Sequence, residues 1–495
     1  MNRPALAVGW LAALVLLNPA PGHAQQWIEM KSQNFVVTSN AGQGSTRTLV
    51  WQLEQVRHAF SALFHWARVD LDRPIAVFAV RDERSMRALA PMYWEQRGGM
   101  RPVSVWVTAP DRHYLAIRTD VQAEDKDDIN PHMSAYYSYA SLILQQSTAR
   151  DLPEWFANGF AGVLSNTIVR EGHILFGPLI PWHLERLREG ARFRLSELLQ
   201  VTRASRAYTN EESRLRFDAQ SWAFVHFLIF GDKGTRRPKL DQFITLIGGG
   251  MDSEVAAREA FGDLQSLEGD FVRYVGRSLF TYVRADIEAS VRRETFPLRP
   301  LTAAEAAGAM ALFHAAMDQR AAATAAIAEA TKAAPPAADG YLAEALLLDR
   351  GGKRDEARAA YERAVLGGST SGYAHYRLAS LRWKPDMDRE TMAGIEKLLL
   401  SAVAAIPRHA PSNAMLGEVR SLLGTGEGLP FARRAIALSP GRPGYRLVAA
   451  RILMRQKKYE EALKEAELGL GLVQSEDDQR EAKALVAAIE QARAR

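Results

Sequence analysis

The C-terminal part of the chain repeats with a period of 34 residues. Small residues that recur at this offset are Ala323 with Ala357, Ala330 with Ala364, and Ala435 with Gly469. A period of this length is typical of a hairpin of two helices, which buries its apolar face only by stacking on the next hairpin. The period therefore predicts an all-α solenoid over residues 301–495, with the small residues where two helices approach closely.

One unit shows the pattern clearly. It spans 341–372, holds two helical segments joined by two glycines, and resembles a tetratricopeptide repeat. The second helix of this unit recurs at 456–466. The segment 373–407 departs from the spacing, because Pro385 interrupts a helix and Pro407 arrives late. The period predicts about five units, two of them degenerate.

The predicted array points to a protein or peptide partner. Stacked helical hairpins present an extended surface on which peptides or other domains dock. Tyr373, His375, Tyr376 and Arg377 are placed to line such a groove, but helical spacing makes them equally suitable for packing between helices. Two further alternatives stay open for the array: it caps the first domain, or it dimerises.

A change in composition near residue 300 marks the predicted domain boundary. The segment 296–300 contains two prolines and separates an aromatic-rich region from one dominated by alanine, leucine, arginine and glutamate. We predict a first domain over 25–285, a linker over 286–300 and the repeat array over 301–495.

Residues 1–24 have the pattern of a secretory signal peptide. A run of 13 apolar residues at 5–17 follows Arg3 and precedes a proline-containing segment that ends at Ala24. The run is shorter than the roughly 20 residues of a membrane-spanning helix, so we predict cleavage after Ala24. The mature chain is then exported, to the periplasm or the extracellular space, without a transmembrane anchor.

Composition excludes several classes of site. Cysteine is absent, which rules out disulfides and thiolate metal sites. The 62 basic residues are interleaved with 57 acidic ones, and the net charge of +5 gives little indication of nucleic-acid binding. No phosphate loop, serine nucleophile elbow or dinucleotide fingerprint is present. We expect neither a cofactor nor a nucleic-acid partner.

The first domain is expected to be α+β. Alternating apolar and polar residues predict a strand over 27–39, a helix at 49–64 and short strands at 75–80, 103–108 and 114–119. Almost all of the rest of the domain shows helical periodicity. Strands first and helices afterwards are typical of a small sheet with helices packed against it.

Two landmarks give the first domain a family resemblance. The segment 152–161 reads Leu-Pro-Glu-Trp-x-x-x-Gly-x-Ala, and Gln-Ser-Trp follows at 220–222. With the strand-first order, they make residues 27–285 resemble the peptidase MA-like gluzincin domain. In that family one helix carries His-Glu-x-x-His, whose histidines bind zinc and whose glutamate is the general base. The next helix supplies a glutamate as the third zinc ligand.

The four residues that the resemblance makes catalytic are absent. In the most natural register Ser134 and Ser138 stand at the histidine positions, Ala135 at the general base and Asn158 at the downstream glutamate. A register shifted by two residues supplies no zinc ligand either. Hydroxyl and amide groups replace imidazole and carboxylate poorly, so the resemblance implies an inactive enzyme without zinc. The vacated positions either leave a cleft for an extended peptide or are filled by tyrosines of the same helix.

Other histidines and carboxylates are weaker candidates for a site. We expect His132 to begin a helix, Glu154 to cap the next helix together with Asp151, and His226 to lie in the core. One more group falls within a short span but matches no known metal-site spacing: Glu171, His173, His183 and Glu185.

The leading interpretation is an exported, catalytically inactive metallopeptidase-like protein that binds protein or peptide partners through its repeats. One alternative is a zinc-dependent metallopeptidase with displaced, non-standard ligands. Another is a cell-envelope scaffold in which neither the repeats nor the vacated cleft binds short peptides.

Overall fold

The computed structural model describes residues 26–95, 98–99, 101–121, 129–147, 152–286, 296–384, 386–425, 427–473 and 475–495. The predicted signal peptide, Asp151 of the predicted helix cap and Pro385 of the third repeat lie outside the described residues. Within the described ranges, every helix is too short or too polar to cross a membrane.

Two sheets lie in the first domain. The described strands are β1 (Ile28–Lys31), β2 (Phe35–Ser39), β3 (Ile75–Val80), β4 (Ser104–Thr108), β5 (His113–Arg118), β6 (Ile168–Arg170), β7 (His173–Phe176), β8 (Val283–Asp286) and β9 (Leu298–Pro300). The larger sheet has the order β4-β5-β3-β2-β1-β9, with β2, β3 and β5 parallel. The smaller sheet, β6-β7-β8, falls in a region for which helices were predicted.

The strand predicted over 27–39 is wrong, because the chain folds back on itself and forms the antiparallel pair β1 and β2. The turn between them is held by Glu54, a buried residue of the following helix. Its carboxylate accepts from the Ser32 hydroxyl at 2.5 Å and from the backbone and side-chain amides of Asn34 at 3.0 and 2.7 Å. Alternation alone does not reveal this turn, since it continues through both strands.

Helices surround the larger sheet. Those of the first domain are α1 (Gln43–Leu63), α2 (Glu83–Leu89), α3 (Met92–Glu95), α4 (Met133–Ser147), α5 (Glu154–Ser165), α6 (Pro181–Glu189), α7 (Leu195–Leu199), α8 (Arg206–Thr209), α9 (Glu211–Phe230), α10 (Arg237–Gly248), α11 (Ser253–Phe261) and α12 (Leu264–Val275). The predicted helix at 49–64 is confirmed as part of α1, and β3, β4 and β5 confirm the three short strands.

The described part of the repeat array contains five helical hairpins, with α23 packed on the last one. Its described helices are α13 (Ala303–Ala316), α14 (Arg320–Lys332), α15 (Ala338–Arg350), α16 (Arg354–Leu366), α17 (Gly372–Arg382), α18 (Arg389–Ala405), α19 (Ala410–Leu423), α20 (Leu429–Leu438), α21 (Pro443–Arg455), α22 (Tyr459–Leu470) and α23 (Glu476–Arg493). The recurring alanines and Gly469 are all buried, as the period predicts. The structure therefore confirms a tetratricopeptide-like helical repeat beside an α+β domain.

The larger sheet is covered on both faces. Successive residues of a strand point to opposite faces, and Val77 packs with α1, α4 and α5 while Phe78 packs with the array. The Phe78 ring meets that of Phe313 on α13 at 5.2 Å, and the Tyr114 ring lies 6.2 Å from the same phenylalanine. The array thus caps the first domain, one of the alternatives that the sequence left open.

The segment predicted as a linker is anchored at both ends. Asp286 ends β8, and Leu298–Pro300 pairs with β1 as the outermost strand of the larger sheet. The array begins immediately afterwards, where Thr302 and Glu305 form a capping box at the start of α13. Residues 287–295 lie outside the described part of the chain. The short connection from β9 to α13 ties the array directly to the sheet.

Candidate functional site

Two packed helices carry the four positions at which the resemblance expects catalytic residues. Ser134, Ala135 and Ser138 lie on α4, and Asn158 lies on α5. The Ser134 hydroxyl is 2.5 Å from that of Ser104 on β4, and the Ser138 hydroxyl donates to the carbonyl of Ser134 at 3.0 Å. Ala135 is buried in the core. The α4 side chains are therefore engaged with their own helix, the neighbouring strand and the core.

Tyr137 bridges α4 and α5 at Asn158, where the resemblance expects a glutamate. Its hydroxyl donates to the Oδ1 atom of Asn158 at 2.6 Å. Burial, reinforced by the negative charge of Asp218, raises the pKa of Tyr137 well above its usual range, so the phenol stays protonated and keeps donating. Tyr136 and Tyr139 are buried in the core. Of the two alternatives for the vacated positions, this contact favours filling by tyrosine.

The donors at α4 and α5 do not fit zinc. They are two serine hydroxyls and an amide already bonded to a phenol, whereas zinc in proteins is held by imidazole, thiolate or carboxylate groups. Across the described residues, no three histidine, aspartate or glutamate side chains lie close enough to hold a metal ion together. The His183 ring instead packs at a tilt against that of Trp222, with centroids 5.6 Å apart, and His173 lies on β7.

Glu154 is the first residue of α5. Pro153 precedes the helix, and no described side chain accepts from its first turn. The Glu154 carboxylate pairs with the Nε atom of Arg203 at 2.7 Å. The predicted capping box joins Glu154 to Asp151, which lies outside the described residues, so it stays a prediction.

Two histidines have the structural roles predicted for them. The carbonyl of His132 accepts from the amide of Tyr136 at 3.2 Å and so begins α4. His226 is fully buried, with Nε2 2.8 Å from the carbonyl of Gly177 and Nδ1 2.7 Å from the hydroxyl of Tyr274. Burial lowers the pKa of each ring to about 4. Since a carbonyl only accepts, the neutral His226 ring donates from Nε2 and accepts at Nδ1.

The turn between β4 and β5 lies beside α13, α15 and α17, the first helices of three consecutive hairpins. The buried Asp111 carboxylate accepts from the Tyr114 hydroxyl at 2.7 Å and from the Arg112 Nε atom at 2.8 Å. Arg73 donates to the carbonyl of Ala109 at 2.7 Å. The turn is therefore fixed by the first domain, and it borders a cavity of about 350 Å³ shared with α13, α15 and α17.

A larger cavity, of about 830 Å³, also borders this turn and is lined by both parts of the chain. The first domain contributes the loop after α1 and the end of α4. The array contributes α17 and the N-terminal ends of α19 and α21. We call this cavity the interdomain groove. Its arginines and tyrosines are Arg68, Arg73, Arg408, Arg442, Tyr373, Tyr376 and Tyr445.

Helical spacing left open whether Tyr373, His375, Tyr376 and Arg377 line a groove or pack between helices, and the structure gives them different roles. Tyr373 and Tyr376 line both cavities. Arg377 lines the smaller cavity, where Asp349 binds it through contacts of 2.5 and 2.8 Å. The Nδ1 atom of His375 lies 2.9 Å from a carbonyl one turn earlier in its own helix. The arginines of the interdomain groove were not predicted, because they come from segments far apart in the sequence.

Among solved structures, three tetratricopeptide-repeat or related proteins resemble part of the chain. YrrB, described as a repeat protein with an unusual peptide-binding site, is 18% identical with a TM-score of 0.31, covering 37% of this chain and 92% of YrrB. A thermophilic repeat protein of Thermus thermophilus is 19% identical with a TM-score of 0.26, covering 37% and 99%. PilF of Pseudomonas aeruginosa is 16% identical with a TM-score of 0.28, covering 38% and 88%. No family model and no curated protein matches the sequence.

Proposed function

We propose that the chain is an exported, catalytically inactive metallopeptidase-like protein that binds a protein or peptide partner in the interdomain groove. The observation that carries the proposal is the groove itself, which is open, lined by three half-buried tyrosines and of a size typical of ligand sites. The N-terminal pattern of residues 1–24 supports export. The landmarks at 152–161 and 220–222 support descent from a gluzincin-like peptidase.

The vacated catalytic positions support a binding role rather than hydrolysis. Asn158 is bonded to Tyr137 and offers no charge to a metal. Two serines, an alanine and an amide supply neither zinc ligands nor a general base at these four positions, so a peptide bond bound there meets no side chain suited to activating water. Because Tyr137 occupies the space beside Asn158, the interdomain groove is the better candidate for the partner site.

Metal content tests the inactive state. We expect the mature protein, purified without chelator, to hold well below one equivalent of zinc by mass spectrometry, and Asn158→Glu to hold no more. The matched control combines that change with Ser134→His and Ser138→His, which restores three zinc ligands on α4 and α5. Zinc uptake by the triple variant supports the gluzincin-like arrangement, whereas stoichiometric zinc in the unmutated protein contradicts the proposal.

Blocking the groove tests the binding role. Ser439 lines the groove and makes no described side-chain hydrogen bond, so Ser439→Trp places a bulky ring in the cavity. Peptides selected from a displayed library on the full mature chain are expected to lose at least tenfold in affinity for this variant. The control is Leu366→Trp, at a residue 81% exposed on the end of α16. Equal binding to all three proteins contradicts a partner site in the groove.

A further inference from the structure

The interdomain groove carries an excess of positive charge. Its described lining residues include four arginines and a single carboxylate, that of Asp72. Arg68 and Arg73 come from the first domain, and Arg408 and Arg442 come from the array. The groove thus acquires its charge only when the two parts of the chain are packed together.

Two of the four arginines already have a carboxylate partner. The Arg73 Nε atom lies 3.1 Å from the carboxylate of Asp72, and the Arg408 guanidinium lies 3.3 Å from that of Asp70. Asp72 is further held by the side-chain amide of Gln146 at 2.7 Å. Asp70 also pairs with Arg57, so Arg408 shares its carboxylate partner with a second arginine. Arg73 and Arg408 are thus already engaged with acidic residues.

The other two arginines are available. Arg68 and Arg442 are both exposed, and within the described part of the chain neither forms an ion pair. An unpaired guanidinium at the edge of a cavity binds carboxylates well, because its planar fork donates two parallel hydrogen bonds. Arg68 lies on the loop after α1, and Arg442 lies directly before α21.

Helix ends add to the positive potential. The first turns of α17, α19 and α21 lie at the groove, and none of the three contains an acidic residue. In contrast, the first helices of the two preceding hairpins carry Glu305 and Asp339 in their first turns. The N-terminal end of a helix favours negative charge because its first amides are unpaired. Among the first helices of the described hairpins, only the three that meet the groove lack an acid in the first turn. The second helices α14 and α20 lack one as well.

The remaining lining suits a polypeptide. Tyr373, Tyr376 and Tyr445 are half-buried and present ring faces and edges to apolar side chains. Gln145 is exposed at the end of α4 and offers an amide to a peptide backbone. The tyrosine rings suit apolar side chains, the Gln145 amide suits a peptide backbone, and the two separated arginines suit acidic side chains. Together these groups fit an extended polypeptide whose acidic residues are spaced along it.

We infer that the groove recognises an extended acidic segment of a partner polypeptide, with carboxylates bound at the same time by Arg68 of the first domain and Arg442 of the array. This inference rests on the proposed function and specifies its ligand class. Recognition then belongs to both parts of the chain together, and the first domain contributes directly to binding.

Matched peptides test the inference on the full mature chain. The probe is the fluorescein-labelled, C-terminally amidated peptide Ser-Glu-Tyr-Ser-Glu-Tyr-Ser-Glu, and its counterpart has glutamine at each glutamate. Fluorescence anisotropy is expected to show binding of the acidic peptide that is about tenfold weaker for Arg68→Gln combined with Arg442→Gln. The same binding weakens as salt rises. The control variant is Arg480→Gln, at a residue on α23 away from the groove.

The outcomes separate the ligand class from the proposed function. If both peptides bind equally and Ser439→Trp removes that binding, the acidic class is overturned while a peptide site in the groove stands. If neither peptide binds and library selection also yields no groove-dependent peptide, both proposals are overturned. Equal competition by a single-stranded DNA oligonucleotide overturns the inference in favour of a general polyanion site.

Discussion

Phe313→Ala is expected to lower the free energy of unfolding by about 3–5 kcal/mol, measured by urea denaturation followed by circular dichroism. The Phe313 ring is fully buried between α13 and the face of the larger sheet that carries Phe78, where it contacts Phe78 and Tyr114. Its removal leaves a cavity that neither the sheet nor the helix can easily close. The loss therefore reports how firmly the array is packed on the first domain.

A double-mutant cycle separates this packing from the intrinsic stability of α13. Combining Phe313→Ala with Phe78→Ala is expected to cost about 1 kcal/mol less than the sum of the single changes, because both rings contribute to one contact. Leu366→Ala is the surface control and is expected to change stability by no more than about 0.5 kcal/mol. Strictly additive effects of the two phenylalanines would show that the array and the sheet are energetically independent.

The repeats were predictable from the sequence because their contacts are local. Ala357 and Ala364 pack within one hairpin or onto the next, so a fixed period of small residues records them directly. The strands at β3 and β4 were predictable for a similar reason, since short runs rich in β-branched residues between polar segments are typical of strands. In both cases neighbouring residues in the chain determine the structure.

The docking of the array was left open because it depends on residues distant in sequence. Phe78 and Phe313 are ordinary apolar residues of a strand and a helix, and nothing in their spacing pairs them. The interdomain groove follows from this docking, so Arg68 and Arg442 carried no signal of a common site. Tyr137 is a third case: its helix was predicted, but not that its hydroxyl would meet Asn158.

Gly159→Ala is expected to lower the free energy of unfolding by about 3 kcal/mol or more, measured by the same urea denaturation. A Cβ atom at Gly159 would lie 2.2 Å from the backbone carbonyl oxygen of Ser221 and 2.5 Å from the side chain of Val225, both on α9. A backbone oxygen cannot rotate away as a long side chain does. The helices α5 and α9 must therefore separate, and Asn158 moves with α5.

Gly162→Ala is the matched control for this change. Gly162 is also buried in α5 and also faces α9, but its Cβ would lie 3.5 Å from Trp222, an ordinary contact distance. Alanine is favoured over glycine within a helix by up to about 1 kcal/mol, so this variant is expected to be neutral or slightly stabilised. Both substitutions gain the same helix propensity, and their difference isolates the close approach at Gly159. If the two variants are equally stable, the close packing of α5 on α9 at Gly159, which positions Asn158 to accept from Tyr137, is contradicted.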